Sequence, residues 1–145
     1  GGQERGLRSG TLPVHLCVGF GHACEIMAKE YRNWHDQCVA VQNQLRSLLD
    51  PFEVTSNGDS DRRLPCILNC SFTGLDSEAT MLALKNTVAI SNGSACTTAG
   101  SDPSHVLNAM NYSNERINAA TRWSWCHMTP SLLPDQLQSA LRALL

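Results

Sequence analysis

Apolar residues recur at helical spacing between Leu12 and Leu49, and this spacing predicts one long helix. Two stretches carry the pattern: Ala23, Ile26, Met27, Glu30 and Tyr31 in the first, and Val39, Val41, Leu45, Leu48 and Leu49 in the second. Pro51 ends the helix, because proline has no N–H to donate and its ring clashes with the preceding turn. The preceding residues 1–12 are rich in glycine and polar side chains and are predicted to form a loop.

Four short segments have the residue pattern of β-strands. Cys66–Phe72 alternates between Ile67, Asn69 and Ser71 on one side and Leu68, Cys70 and Phe72 on the other. The other three are Phe52–Val54, the apolar run Val88–Ile90, which we expect to be a short buried strand, and Ala120–Trp125.

Helix signals separate these strands. Asp76 or Ser77 can cap a helix from Glu78 to about Lys85, and Asp102 followed by Pro103 has the pattern of another helix start. A final amphipathic helix is predicted from Pro134 to Leu145. The alternation of helices and strands predicts a small α/β sandwich, with helices covering one face of a sheet.

Composition narrows the class of protein. The chain has 145 residues, the size of one ordinary domain, with 17% charged residues and a net charge of −2. It lacks the basic excess of a nucleic-acid-binding protein, so we expect no direct nucleic-acid binding. The sequence contains no run of 18 apolar residues, so no membrane span is predicted, and no signal peptide is recognised. Both observations favour a cytoplasmic location. The opening Gly1–Glu4 reads as the middle of a longer protein.

Seven cysteines occur, at positions 17, 24, 38, 66, 70, 96 and 126, with no C-x-x-C pair, so we expect free thiols and no metal site. Cys17, Cys24, Cys38, Cys66 and Cys70 lie in helix or strand patterns and are predicted to pack. Cys126 with His127 is too small a set for a metal site, and we expect packing and surface roles for both. Cys96 instead lies within residues 91–102, which are all small or polar. Composition alone leaves open whether it is a functional thiol or an exposed cysteine on an ordinary loop.

Three segments resemble one known family. Ser91–Thr98 followed by Asp102–Leu107 resembles the active-site loop of the cysteine desulfurases, which are class V members of the aminotransferase superfamily. Gly1–Val14 is similar to their G-G-x-E-x-G-x-R-x-G-T stretch, and Thr121–Ser124 to their late strand with a substrate-binding arginine. The short cysteine loop is typical of the IscS/NifS group, and the resemblance covers essentially the whole chain.

The resemblance implies a fold and a division of the chain. The chain would be the C-terminal part of a fold-type I enzyme that uses pyridoxal 5′-phosphate. Residues 1–12 would be a loop at the end of a large cofactor-binding domain. Residues 13–145 would form the C-terminal small domain, a short, mainly antiparallel sheet covered by helices on one face.

The resemblance also implies roles for three residues. Cys96 would attack the sulfur of L-cysteine and carry it as a persulfide, with L-alanine as the other product. Arg122 would bind the substrate carboxylate, for which a planar guanidinium is suited. Thr11 would reach the cofactor phosphate of the opposite subunit in a homodimer. His105 follows the cysteine loop, but a histidine at a helix start is more often structural.

The cofactor would be bound mainly by a large domain that these residues do not include. The chain has only Lys29 and Lys85, and neither lies in the family's Schiff-base lysine motif, so these residues by themselves are expected to be inactive. A sulfur-acceptor protein would be the partner, in iron–sulfur cluster assembly or thiolation.

Alternatives remain at this point. The chain could be a non-catalytic module that accepts persulfide or serves in docking. It could also belong to a desulfurase dedicated to DNA phosphorothioation, because the scaffold-docking tail of the IscS type is not found before Leu145. Trp123–Met128 departs from the family pattern after the arginine. Taken singly, Arg122 could be an edge-strand charge in a surface ion pair, and Thr11 an ordinary loop threonine.

Overall fold

The computed structural model describes residues 1–92, 103–130 and 132–144. The chain divides into two compact units, Gly1–Trp34 and His35–Leu145. Helix α1, Val14–Leu49, contributes its first part to one unit and its second part to the other. The predicted long helix is therefore confirmed, and it ends just before Pro51.

The first unit contains a short 3-10 turn, Glu4–Gly6, and the beginning of α1. The φ angles of Glu4, Arg5 and Gly6 are all positive, at 54°, 56° and 78°. The apolar residues predicted to form the first helical stretch are largely exposed here, with 54% of Met27 and 51% of Tyr31 accessible to solvent. Helical periodicity was thus a correct guide to the backbone of this unit, but not to burial.

The second unit is built on a three-stranded antiparallel sheet with the order β1-β2-β3. Its strands are β1, Val54–Ser56; β2, Ile67–Phe72; and β3, Ala120–Ser124. The helices are α2, Ser77–Leu84; α3, His105–Ala109; α4, Asn114–Asn118; and α5, Pro134–Arg142. The predicted α/β class and the antiparallel sheet are confirmed.

The main core lies between one face of the sheet and three helices. Leu68, Cys70 and Phe72 of β2 alternate with outward residues, as the sequence pattern predicts for a strand with one buried face. They pack in one buried cluster that also contains Leu45, Leu48, Leu49, Phe52, Leu84, Trp123, Leu137 and Leu141. Asp76 caps α2 as predicted, because its carboxylate accepts hydrogen bonds from the N–H groups of Glu78 and Ala79.

A smaller cluster forms next to β3. Leu107 of α3, Ile117 of α4 and Ala120 of β3 are buried together, with Tyr112 packed against them. Ala120 alternates with Thr121 along the strand, so this cluster lies at one end of the sheet face opposite the main core. Helices α3 and α4 therefore cover part of the second face, so the expectation that helices cover only one face of the sheet is wrong.

Three sequence expectations need correction. The strand predicted at Phe52–Val54 is instead β1, Val54–Ser56, because the Phe52 N–H bonds back to the Leu49 carbonyl at the end of α1. Val88–Ile90 does not form a strand, because the N–H groups of Thr87 and Val88 bond back to the Leu84 carbonyl at the end of α2. Pro103 does not begin a helix; α3 begins at His105, and the Ser104 hydroxyl caps it. Helix α4 was not predicted, because five residues are too short to show helical periodicity.

None of the helices in the described part of the chain combines the length and apolar character that a membrane crossing requires.

Candidate active site

Arg122 lies on the exposed face of β3, with a polar residue on each side. Its direct partner on β2 is Asn69. On its other side Ser91 forms an isolated antiparallel bridge, in which each residue's N–H bonds to the other's carbonyl. Residues directly opposite each other in an antiparallel sheet project from the same face. Ser91 and Asn69 therefore flank Arg122.

This row continues across the sheet to Asn57, the residue after β1. The Asn57 N–H donates to the Asn69 carbonyl at 2.8 Å. The N–H and carbonyl of Arg122 both bond to Ser91, and the Asn69 carbonyl bonds to Asn57, so these groups make no hydrogen bond between Asn69 and Arg122. Asn69 and Arg122 therefore form a non-hydrogen-bonded pair of the antiparallel sheet, the kind of pair in which side chains approach most closely. We call Asn57, Asn69, Arg122 and Ser91 the polar row.

The Arg116 side chain of α4 reaches the first member of the polar row. Its Nε donates to Asn57 Oδ1 at 2.7 Å, and a terminal nitrogen donates to the Ser56 carbonyl at 2.9 Å. The guanidinium carbon lies 3.8 Å from the centroid of the Tyr112 ring, a cation–π contact. The Tyr112 hydroxyl in turn accepts a hydrogen bond from the Gly58 N–H at 3.1 Å. These contacts join α4 to the segment that follows β1.

Side-chain hydrogen bonds also connect the row itself. Asn57 Nδ2 donates to Asn69 Oδ1 at 2.6 Å and to Ser71 Oγ at 2.9 Å. The buried Ser71 hydroxyl donates to the Arg116 carbonyl at 2.7 Å. The carboxamides are therefore held in one orientation.

The Arg122 guanidinium has no carboxylate partner in the part of the chain that the structure describes. Among residues 1–92, 103–130 and 132–144, no carboxylate lies within 4.0 Å of its guanidinium, so the surface ion pair considered from sequence is not found there. A guanidinium offers up to five N–H donors and binds a carboxylate through two parallel hydrogen bonds. Arg122 is exposed, so its guanidinium can reach a small carboxylate in this way.

Cys96, the proposed nucleophile, lies outside the described residues. The chain separates it from Ser91 by five residues, and a segment of that length spans at most about 18 Å. His105, the first residue of α3, is exposed.

The described thiols differ in their environments. Cys70 is fully buried, and burial raises its pKa to about 11; Cys38 is also buried, which raises the pKa of its thiol. Raised pKa values leave these thiols protonated and unreactive near neutral pH. Cys17 and Cys24 are exposed, so the prediction that they pack in a core is wrong for this structure. In the described part of the chain no three His, Cys, Asp or Glu side chains are arranged to hold a metal ion.

Thr11 belongs to the first unit. It is exposed and lies between the 3-10 turn and α1. A threonine of this kind fits a contact to a phosphate group. The lysines do not fit a Schiff base, because Lys29 is exposed and its ammonium is 2.7 Å from a Glu25 oxygen, and Lys85 is exposed at the end of α2.

A depression of about 220 Å³ lies on the other side of the sheet from the polar row. Its lining includes Arg46 and Leu49 of α1 and Val54 of β1, but no member of the row. The candidate chemistry does not depend on it.

Sequence reasoning missed three of these residues: Asn57, Asn69 and Arg116. Strand alternation placed Asn69 on the same side as Ser71, but the antiparallel register that sets Asn69 opposite Arg122 is not visible in the sequence. Arg116 carries no sequence signal, because its role depends on where a five-residue helix packs.

Comparison with known proteins identifies the family of this chain. The sequence model of the family described as "Aminotransferase class-V" matches residues 2–131. The protein "Cysteine desulfurase IscS" of Vibrio cholerae is 42% identical over 130 residues, which cover 89% of this chain and 32% of that protein. The protein of the same name from Cronobacter sakazakii is 42% identical over 86% of this chain and 31% of its own length.

Solved structures give the same result. A structure titled "NIFS-LIKE PROTEIN" aligns over 99% of this chain and 36% of its own, with a TM-score of 0.70 and 26% identity. DndA from Streptomyces lividans aligns over 87% of this chain and 35% of its own, with a TM-score of 0.63 and 36% identity. The NifS-like protein from Rickettsia africae, at 23% identity and a TM-score of 0.75, supports the fold.

The chain belongs to the class-V aminotransferase family. Within that family, the relatives described above are cysteine desulfurases of the IscS type and NifS-like proteins. The chain spans about a third of the length of the curated relatives it matches.

Proposed function

We propose that this chain is the C-terminal part of a pyridoxal-phosphate-dependent cysteine desulfurase, with residues 1–12 at the end of a large domain and residues 13–145 as the small domain. Arg122 binds the carboxylate of L-cysteine, Cys96 accepts the sulfur, and Thr11 contacts the cofactor phosphate. One observation carries the proposal: the Arg122 guanidinium stands on an exposed polar face without a described carboxylate partner, beside the Ser91 that precedes Cys96 by five residues. Similarity to proteins named cysteine desulfurase supports it.

Pyridoxal phosphate, when bound, supplies an electron sink for the substrate carbon atoms. Thr11 fits the phosphate, whereas Lys29 and Lys85 do not fit the Schiff base. We therefore place the Schiff-base lysine in the part of the relatives' length that this chain does not span.

Arg122 fixes the orientation of the substrate. Two parallel hydrogen bonds from its guanidinium to the α-carboxylate leave the substrate side chain a defined direction relative to β3. Lysine offers only a point charge, so it would hold the carboxylate without this orientation.

Cys96 takes the sulfur. The thiolate of Cys96 attacks the sulfur of L-cysteine, a new S–S bond forms, and the bond between the substrate sulfur and its β-carbon breaks. The carbon keeps the electron pair and takes up a proton, so that L-alanine leaves and a persulfide remains on Cys96. Passing this sulfur to an acceptor protein, in iron–sulfur cluster assembly or thiolation in the cytoplasm, regenerates the thiol. A homodimer places Thr11 at the partner's cofactor.

Mass spectrometry tests the carrier role. The natural protein, loaded with pyridoxal phosphate and incubated with L-cysteine, is expected to carry one added sulfur atom on the peptide that contains Cys96. Replacement Cys96→Ser should remove the signal, whereas the exposed control Cys24→Ser should keep it. Sulfur added to another cysteine, with Cys96 unmodified, would overturn the assignment.

A further inference from the structure

The carboxamide chain from Arg116 to Asn69 has a defined hydrogen-bond direction. A guanidinium carries only donors, so the Asn57 atom at 2.7 Å from Arg116 Nε must be the acceptor oxygen. The other end of the Asn57 carboxamide is then its NH₂ group, which donates to Asn69 Oδ1 at 2.6 Å. The side-chain oxygen of Asn69 therefore accepts the hydrogen bond from Asn57, and the other end of the Asn69 carboxamide is its NH₂ group.

The NH₂ group of Asn69 has no acceptor among the side chains and carbonyls of the described ranges. Asn69 is half-buried and shares its sheet face with Arg122, its direct cross-strand partner. In a non-hydrogen-bonded pair the Cβ atoms lie about 4.5–5.5 Å apart. Two donor groups, one charged and one neutral, therefore stand side by side on this face.

We propose that Asn69 is a second donor to the carboxylate that Arg122 binds, and that Arg116 is a positioning residue that orients Asn69 through Asn57. The inference rests on the proposed function, because it takes Arg122 as the carboxylate-binding residue. The two oxygens of a carboxylate can accept about four hydrogen bonds, and one edge of a guanidinium does not supply that many. The Asn69 N–H groups supply a further hydrogen bond to the same anion.

Arg116 is itself held firmly enough to set this orientation. The Tyr112 ring packs against one face of its guanidinium, and the Ser56 carbonyl accepts one of its terminal N–H groups. Without this charged donor, only the Ser71 hydroxyl, which accepts from Asn57 Nδ2, favours this orientation of the Asn57 carboxamide, so the turned-over orientation becomes more populated. In that orientation the Asn69 carboxamide turns as well and presents its oxygen, an acceptor, toward a bound carboxylate.

The orientation is tested on the 145-residue chain by NMR of ¹⁵N-labelled side-chain amides. Arg116→Met is expected to shift and broaden the Asn69 NH₂ signals, while Arg116→Lys, which keeps the charge and a donor, restores part of the original spectrum. Arg62→Met serves as the matched control, because Arg62 is an exposed arginine paired with Asp59 and is not in the polar row. Unchanged Asn69 signals in Arg116→Met would overturn the positioning role.

Ligand affinity is tested on the natural protein loaded with pyridoxal phosphate, with L-alanine as the probe, by the change in the cofactor's visible absorbance. Loss of one hydrogen bond predicts about a tenfold weaker affinity in Asn69→Ala. Arg116→Met should weaken binding similarly, and the double variant should be no weaker than Asn69→Ala alone, because Arg116 acts through Asn69. For L-cysteine, KM should rise with little change in kcat.

The outcomes separate this inference from the proposed function. If Arg122→Lys weakens L-alanine binding but Asn69→Ala does not, Asn69 is not a second donor and the inference fails alone. If the effects of Asn69→Ala and Arg116→Met add in the double variant, Arg116 does not act through Asn69. If Arg122→Lys itself binds L-alanine as the unmodified protein does, the carboxylate-binding role of Arg122 fails, and the inference fails with it.

Discussion

The indole N–H of Trp125 donates a hydrogen bond to the main-chain carbonyl of Cys38, at 3.0 Å. The two residues are 87 positions apart, and the bond ties the chain just after β3 to helix α1. The main-chain N–H of Trp125 donates to the Cys66 carbonyl at 3.0 Å. This bond extends the pairing of β3 with β2 by one residue. Trp125 thus links the edge of the sheet to its covering helix.

Replacing Trp125 with Phe should lower the free energy of unfolding by about 1 kcal/mol, the typical net value of one hydrogen bond. The phenyl ring keeps most of the apolar contact, so the hydrogen bond is the main loss. Denaturant unfolding of the 145-residue chain measures the change. A stability equal to that of the unmodified chain would show that the bond to Cys38 contributes nothing.

Cys70 should make stability fall at alkaline pH. Its folded pKa of about 11 lies above the ordinary value of 9.0, so the folded state keeps its proton while the unfolded chain loses it. The stabilisation is complete below pH 9 and is lost as the pH rises through about 11, by up to roughly 3 kcal/mol.

The comparison of Cys70→Ala with Cys24→Ala isolates this effect, because Cys24 is exposed. Unfolding free energies are measured from pH 8 to pH 11 for both variants. The slope should be shallower in Cys70→Ala and unchanged in Cys24→Ala. Parallel slopes in the two variants would exclude Cys70 as the titrating group.

Two leucines of α2 offer a matched test of the core. Leu84 is fully buried against the sheet and α5, whereas 64% of Leu82 is exposed. Leu84→Ala should cost about 2–5 kcal/mol of unfolding free energy, because it leaves a cavity. Leu82→Ala on the same helix should change it by less than about 0.5 kcal/mol. Similar losses in both variants would contradict the packing described for α2.

The 145-residue chain by itself should not turn over L-cysteine. Lys29 and Lys85 are both exposed, and neither is placed to form a Schiff base. Mixed with pyridoxal phosphate and L-cysteine, the chain is expected to release no L-alanine above a buffer blank and to develop no protein-bound visible absorbance. Alanine release at the rate of a complete enzyme would refute the proposed division of the chain.

The sequence was sufficient for features that depend on neighbours along the chain. The extent of α1, the alternation in β2 and the Asp76 cap follow from periodicity and from side-chain-to-backbone bonds two or three residues apart. Family membership also follows from short motifs, and the comparisons confirm it. Thr11 and Arg122 were named from such motifs, and their roles remain predictions.

Contacts between distant residues depended on the tertiary structure. Asn57 and Arg116 are 59 positions apart, and only the packing of α4 beside the sheet brings them to 2.7 Å. The antiparallel register sets Asn69 beside Arg122, and the end of α2 uses the backbone groups that would have made Val88 part of a strand. Local sequence patterns indicate which face of a strand a side chain lies on. The pairing of distant strands is decided by the simultaneous burial of the sheet and its helices. A shift of one strand by one residue would turn all of its apolar side chains to the other face of the sheet.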